Sequence, residues 1–538
     1  TARRPAVDLH FAETHHRTFS MYINNALHRA ATIAHDRPAS IHDGRTHTWS
    51  QVRERVARLA QGLRSRGVEP GDRVAVLGLN SDRYLEMMLA VPWAGAAIVP
   101  LNTRLAPSEL VQLMRHSGAV ALLYEEEFAV IAKQAGAEAP ELRLLVGLAG
   151  DDARAGVVGY ERLVADAQPM EAALCRPEDL LGVFYTGGTT GLPKGVMISH
   201  ANMGHQVSMH LMDLGWSSDT SNLHVLPLFH LGGFTCGYAL TSLAGVHHYM
   251  PRFELQACLS LLSERRIAAT GLGPVIIGWM IDYPDVKRFD LGALRHLAYG
   301  TAAISEPVLR RVIELLPGVR MTQVYGQSET TGTISVLRPE DHVVGSDNPR
   351  LASAGCASWG VDARIFDPEG REVPRGTLGE IVARSPGVTA GYLNDPEQTA
   401  RALAGGWLHT GDLGYMDRDG YIFIGDRAKD MIVTGGENVF SAEVETAIAS
   451  CPGVAQVAVI AIPNDQWGEA VHAVVVPVAG AVLTSEQIIA HCRARIAGFK
   501  CPKSVDVRAE PLPLSGVNKV QKNVLREPYW RGRTRGVN

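Results

Sequence analysis

Short, almost wholly apolar runs separated by amphipathic stretches set the tightest limit on what this chain can fold into. Val74-Ala75-Val76-Leu77-Gly78-Leu79 and Ala96-Ala97-Ile98-Val99-Pro100 carry no alternating polar face, so each reads as a strand buried on both sides. Ahead of the first, Val52, Val56, Leu59, Ala60 and Leu63 recur on one helical face, with Ser50 as the expected N-cap and Gly67 as the stop. A second helix is predicted around residues 84–90. Strand and helix in alternation give parallel sheets covered by helices on both faces, an α/β architecture. At 538 residues the chain is well past the ~250–300 at which one core stops growing, so at least two domains are expected.

The texture changes after Gly405-Gly406-Trp407. Turn-rich segments, Asp417-Arg418-Asp419-Gly420 and Gly435-Gly436-Glu437-Asn438, punctuate short strands, and two strand patterns follow at 457–462 and 471–478. A Thr484…Gln487 capping box then opens a helix expected to run to about Ala497. The expected division is a large N-terminal unit, residues 1–426, and a small α+β unit, residues 427–538. The charged run Asp426-Arg427-Ala428-Lys429-Asp430 serves as linker.

A net charge of −5 supplies no basic field for nucleic acid or an anionic membrane. Seven scattered cysteines without a CxxC pair indicate neither a disulfide framework nor a zinc site and fit a reducing compartment. The N-terminal residues lead into no apolar signal core. The most apolar stretch, Met87 to Leu101, is interrupted by Pro92 and Pro100 and is too short to span a bilayer. A cytoplasmic enzyme that meets its substrate from the aqueous side is expected.

The sharpest local signal is Tyr185-Thr186-Gly187-Gly188-Thr189-Thr190-Gly191-Leu192-Pro193-Lys194-Gly195-Val196, directly after the strand-like run 180–184. Glycines let backbone N–H groups approach phosphate oxygens, threonine hydroxyls add donors, and Lys194 adds a cation. A polar surface turn would not need this density of glycine after a buried strand. A Walker A loop is excluded, because Lys194 is followed by Gly195 and no GK[ST] occurs in the chain.

This segment resembles the phosphate-binding signature of the adenylate-forming (AMP-binding) superfamily, which includes acyl-CoA synthetases. The resemblance extends in order through Leu226-Pro227-Leu228-Phe229-His230, Tyr299-Gly300-Thr301-Ala302-Ala303, Gln323-Val324-Tyr325-Gly326-Gln327-Ser328-Glu329-Thr330, Trp407-Leu408-His409-Thr410-Gly411-Asp412, Gly425–Asp430, Gly435–Asn438 and Lys519-Val520-Gln521-Lys522. It implies the acyl-CoA synthetase type: ATP and a carboxylic acid give an acyl-adenylate and pyrophosphate, and coenzyme A then takes the acyl group. Because one anion must attack a polyanion, charge neutralisation and in-line positioning carry such a reaction.

The resemblance also implies roles. Thr186, Gly187, Gly188, Thr189, Thr190, Gly191 and Lys194 hold the β- and γ-phosphates. Glu329, helped by Thr186, binds Mg²⁺, a hard cation that takes one or two protein oxygens beside those of phosphate. Tyr325 stacks on adenine, with Gly300, Thr301, Ala302, Gly326, Gln327 and Ser328 around the nucleotide. Asp412 accepts from the ribose hydroxyls, Arg427 binds ribose or phosphate, and Lys519 stabilises charge during adenylation. Lys429 is the hinge about which the C-terminal unit turns, bringing Gly435, Gly436 and Glu437 to the coenzyme A path. Two departures stand out: Asn518 and Gly188 occupy positions where the family commonly has Gly and Ser. Asn tolerates positive φ better than other non-glycine residues.

For the acyl group, the resemblance points to His230, which it also makes a catalytic residue beside Lys519, and to Gly233, Phe234, Gly273 and Gly300, with Trp279 nearby. The segment Phe229–Phe234 holds no carboxylate to anchor an α-amino group, so a fatty, aryl or other apolar acid is expected. Delivery to a carrier-protein thiol and a nucleotide-binding protein without turnover are the alternatives. A homodimer is left open.

Overall fold

The computed structural model describes residues 23–152, 156–186, 193–300, 304, 306–343, 348–427, 430–434, 437–464, 466–514 and 520–531. Two large mixed sheets dominate it. In the first, eight strands run in the order Gly391–Tyr392, Lys194–Ser199, Leu180–Thr186, Ala97–Pro100, Arg73–Leu77, Ala119–Tyr124, Leu144–Gly147 and Val157–Gly159. All neighbours pair in parallel except at the Leu180 edge, where the first three strands are antiparallel. The second sheet has nine strands, and its parallel centre contains Arg320–Tyr325, His296–Gly300, Ala269–Leu272, Ser221–His224, Val246–Tyr249 and Pro38–His42.

Alternation along a single strand shows how the layers are made. Val74 and Val76 point into a core shared with the helices Trp49–Ser65, Asp82–Trp93 and Leu231–Ser242, whereas Ala75 and Leu77 point into a second core under Pro107–Ser117 and Ala129–Glu138. The first core also takes Ala39, Tyr249 and Ala269 from the nine-stranded sheet. A helical layer therefore lies between the sheets, and further helices cover their outer faces. This is the α/β arrangement expected from the apolar runs. The Met87–Leu101 stretch is indeed a buried helix end and strand, and among the described residues no helix is long and apolar enough to cross a membrane.

One capping expectation is corrected. The helix starts at Trp49, and its N-cap is Thr48, not Ser50. Gln51 Oε1 accepts from Thr48 N–H at 2.8 Å and Thr48 Oγ1 from Gln51 N–H at 3.4 Å, a reciprocal box in which Ser50 can only reach the Thr48 hydroxyl. The Thr484…Gln487 box is present as expected, but its helix ends earlier, at Arg493.

Beyond residue 357 the pairing is antiparallel except for Ser504–Val507, which runs parallel to Gly468–Pro477. Asp362–Phe366, Gly379–Arg384, Leu408–Met416 and Ile422–Arg427 form a four-stranded sheet. A five-stranded sheet built on the long pair Val454–Asn464 and Gly468–Pro477 follows, with its own cores around Val459, Val471 and Ile488 and around Ile460 and Val474.

Candidate functional site

The glycine loop joins two antiparallel neighbours, with Thr186 paired to Lys194 across its mouth. A hairpin root of this kind differs from the strand-to-helix turn of a Walker A loop. Residues 187–192, and with them Gly187, Gly188, Thr189, Thr190 and Gly191, lie outside the described residues, so the root is what the structure defines. Tyr185, just before it, is fixed by a 2.8 Å hydrogen bond between its hydroxyl and His116 Nδ1, and burial pushes that hydroxyl's pKa up.

Lys194 does not point away from the sheet. Its Nζ lies 5.0 Å from the centre of the Tyr392 ring, a cation–π distance. Tyr392 sits on the edge strand Gly391–Tyr392, opposite Val196, and its neighbour Leu393 donates N–H to Gly195 O at 2.8 Å. The Tyr392 hydroxyl then donates to Glu329 Oε1 at 2.7 Å. Glu329 is buried in a short 3₁₀ turn, Ser328–Thr330, and its carbonyl accepts from Thr389 N–H at 2.8 Å. Burial and the adjacent carboxylate push the Tyr392 hydroxyl pKa up. Three residues far apart in sequence thus meet around one ring, and sequence reasoning named only Lys194 and Glu329. The segment Gly391-Tyr392-Leu393-Asn394 carried no chemical signal of its own.

The nucleotide candidates gather at the carboxyl ends of adjacent parallel strands, the usual ligand edge of such sheets. Gly300 ends one strand and pairs with Val324 of the next, which ends at Tyr325. The Tyr325 hydroxyl donates to Asp412 Oδ2 at 2.7 Å, joining this edge to the four-stranded sheet. Asp412 is buried, and the turn before it is held by Glu380, which accepts from Gly411 N–H at 2.9 Å and lies 2.8 Å from His409 Nδ1. Gln327 accepts from Thr330 and Gly332 N–H through its backbone carbonyl, and its buried side-chain Nε2 has no partner among the described residues. Gly326 is required by packing, since a Cβ there would lie 2.5 Å from Gly332 O. Arg427 pairs with Asp412 in strand register. Thr301, Ala302, Lys429, Gly435, Gly436, Asn518 and Lys519 lie outside the described residues, and Glu437 is placed only as the first residue of the strand Glu437–Val439.

His230 caps the helix Leu231–Ser242 and is half-buried, with its buried Nε2 unpartnered among the described residues. Burial pushes its pKa down to about 4, with the nearby Arg104 charge acting in the same direction, so the imidazole is neutral at pH 7. It lines a small cavity of about 60 Å³ with Pro100, Asn102, Leu105, Tyr185, Pro193 and Phe229. His230 and the root of the glycine loop therefore share one space.

The other acyl-pocket candidates differ in what surrounds them. Phe234 is fully buried in the central helical layer, edge-on to Phe184 at 4.9 Å, and belongs to the core. Gly233 and Gly300 do not leave room: a Cβ would meet Pro227 O at 2.4 Å and Val324 O at 2.6 Å respectively, so both are demanded by close backbone packing. Gly273 does face open space. Trp279 lies on the surface near Phe253.

The residues present suit Mg²⁺ brought in with phosphate. Glu329 has one oxygen on Tyr392, and no Lys, Arg or His pairs with it among the described residues. Thr186, half-buried, supplies a hydroxyl at the loop root. No cluster of three His, Cys, Asp or Glu side chains suited to a metal occurs among the described residues. An ion held here would keep most of its ligands from phosphate and water, the habit of Mg²⁺.

The chain belongs to the AMP-binding enzyme family, as the acyl-CoA synthetase type of the resemblance implies: the family's main domain matches residues 27–393 and the AMP-binding enzyme C-terminal domain matches residues 443–519. It is 37% identical over 505 residues to a feruloyl-CoA synthase of Amycolatopsis sp, covering 93% of this chain and 98% of that one. It is 33% identical over 505 residues to the fatty acid–[acyl-carrier-protein] ligase ScoC of Streptomyces coeruleorubidus, covering 93% and 95%. The ATP-bound MatB of Rhodopseudomonas palustris superposes with a TM-score of 0.84 at 29% identity, covering 95% of this chain and 99% of that structure.

Proposed function

We propose that this chain activates an apolar carboxylic acid with ATP as an acyl-adenylate and transfers the acyl group to coenzyme A. The observation that carries the reading is the Lys194–Tyr392–Glu329 cluster at the loop root, with Glu329 in the turn that follows the strand ending at Tyr325, whose hydroxyl bonds Asp412. A cation and a cation-binding carboxylate stand on the phosphate side, and a tyrosine and a buried carboxylate stand on the nucleoside side.

In this reading the loop 186–194 cradles the β- and γ-phosphates, with Lys194 turning from the ring toward them. Mg²⁺ at Glu329 and Thr186 supplies charge neutralisation of the phosphates when bound. Tyr325 offers its ring to adenine, while Asp412 accepts from ribose hydroxyls in place of the Tyr325 hydroxyl. His230, neutral and with Nε2 unpaired, adjoins the reacting carboxylate without adding a charge that would hold it back. Gly273 leaves space for the acyl group. Lys519 donates to the carboxylate and bridging oxygen during adenylation, and rotation about Lys429 then replaces it with Gly435–Glu437 at the thiol entrance. The boundary between the two units falls at residues 426–427, where the last strand of the four-stranded sheet ends.

The feruloyl-CoA synthase relative supports coenzyme A as acceptor and an apolar acid as substrate. The carrier-protein ligase supports a second reading, with a carrier thiol in place of coenzyme A. Pyrophosphate release measured across fatty and aryl acids, with ATP and Mg²⁺ and with either coenzyme A or a phosphopantetheinylated carrier protein, tests both. Acid-dependent release with thioester formation on coenzyme A is expected. Release without thioester on coenzyme A, but with loading of the carrier, selects the second reading, and no acid-dependent release defeats both.

A further inference from the structure

We propose that Tyr392 is a positioning residue that couples the two charge-neutralising groups of the phosphate site, orienting Glu329 for the metal ion and parking the Lys194 ammonium on its ring. The inference rests on the reading of Glu329 as the Mg²⁺ ligand and concerns the residue that makes it one. Tyr392 meets both groups: its hydroxyl donates to Glu329 Oε1 at 2.7 Å and its ring carries Lys194 Nζ at 5.0 Å.

The backbone around it makes the arrangement rigid. Gly391 and Tyr392 pair with Met197 and Val196, directly beyond Lys194, and Leu393 N–H bonds Gly195 O. A few residues earlier, Thr389 N–H bonds the Glu329 carbonyl at 2.8 Å and the Thr389 hydroxyl donates to Met197 O. Upstream again, Asn202 Nδ2 donates to the Pro386 and Val388 carbonyls at 2.8 and 2.9 Å. Residues 386–393 therefore form a strap pinned at one end to the strand that leaves the glycine loop and at the other to the turn that carries Glu329. Tyr392 is where this strap's side chains meet both.

Two physical consequences follow. With Oε1 held by the hydroxyl, rotation of the carboxylate is restrained, which favours one direction of its second oxygen for a cation. Groups that hydrogen-bond a metal-binding side chain commonly change metal affinity by about 10- to 100-fold. Lys194, lacking an acid partner among the described residues, is held near the loop root by the ring face rather than by an ion pair that phosphate would have to break.

The test is titration calorimetry of ATP binding to the full chain over a range of Mg²⁺ concentrations, including none. For Tyr392→Phe, which keeps the ring and its packing, the Mg²⁺ concentration giving half the gain in ATP affinity should rise about 10-fold, with metal-free ATP binding unchanged. Glu329→Gln should abolish the gain, and Tyr392→Phe added to it should change nothing further, because the hydroxyl acts only through that carboxylate. Tyr392→Leu, folded by circular dichroism, should also weaken metal-free ATP binding several-fold through Lys194. A wild-type Mg²⁺ gain that Tyr392→Phe leaves unmoved overturns the proposal. Absence of any Mg²⁺ gain in the wild type overturns the reading of Glu329 and the proposal with it, so the two failures are distinct.

Discussion

Glu86 and Glu329 are buried carboxylates that each accept a hydrogen bond from a tyrosine, and they differ in what else reaches them. Glu86 takes the Tyr160 hydroxyl at 2.6 Å and also a two-pronged contact from Arg55, at 2.7 and 3.0 Å. Glu329 takes the Tyr392 hydroxyl at 2.7 Å, with no cationic side chain paired to it among the described residues. The first is a completed ion pair that ties together the helices Trp49–Ser65, Asp82–Trp93 and Tyr160–Asp166. The second is half of one. A buried carboxylate without a cation is costly, and Lys194 stands on the ring of the tyrosine that bonds Glu329 instead of on the carboxylate. A protein built only for stability would have closed that pair, whereas one that receives a metal–phosphate complex has reason to leave it open.

Breaking each site should therefore produce opposite signatures. Arg55→Met leaves Glu86 buried without its cation and should cost about 3–5 kcal/mol of stability, read as a lower denaturant midpoint. Turnover of the folded fraction should be unchanged. Glu329→Gln should lower acid-dependent pyrophosphate release about 100- to 1,000-fold, as loss of a charge-stabilising group does, with an unfolding midpoint close to wild type. If Glu329→Gln instead unfolds the protein and spares the rate, the carboxylate is structural and the contrast collapses.

Much of this was legible in the sequence, for unequal reasons. The α/β layering followed from Val74–Leu79 and Ala96–Pro100 because burial on both faces leaves no polar alternation to hide it. Glu329, Asp412 and Lys194 were visible because chemistry at fixed spacing survives as a motif. Tyr392 was not, since its role depends on an edge strand pairing with Val196 almost 200 residues earlier, and a Gly-Tyr-Leu-Asn string has no property that announces a partner. What holds Gly233 and Gly300 in place was hidden for a related reason. A missing Cβ has one appearance in sequence, whether a ligand or a neighbouring carbonyl fills the space, and here Pro227 O and Val324 O fill it.

The half-buried His230 sharpens the comparison, because its buried Nε2 has no hydrogen-bond partner among the described residues. His230 keeps a neutral imidazole chiefly through desolvation, with the Arg104 charge acting the same way and its pKa pushed down to about 4. The unfolded chain returns it to about 6.5, so the unfolded state binds the extra proton between these values. Its share of stability is whole above pH 6.5, falls as pH drops through the window by up to about 1.4 kcal/mol per unit, and levels off below 4. His230→Gln should flatten the pH dependence of the unfolding free energy between pH 6.5 and 4.5, measured by denaturant titration. The slope should not vanish, since His200, His210 and His248 are similarly held down to about 4. An unchanged slope would mean that His230 meets water more than its burial implies.

The smallest effect discriminates most finely, because it removes the same atom at both sites. Tyr160→Phe deletes the hydroxyl from Glu86 as Tyr392→Phe deletes it from Glu329. At Glu86 the arginine still neutralises the carboxylate, so what is lost is one charge-assisted hydrogen bond, about 1.5–3 kcal/mol. That loss should appear only as stability, with the Mg²⁺ dependence of ATP binding identical to wild type. At Glu329 the same deletion should appear chiefly as metal dependence, because orientation of an unpaired carboxylate matters most when a cation arrives. Equal stability losses at the two sites, with no metal effect at either, would show that the two tyrosines do the same work and that the missing cation at Glu329 has no bearing on function.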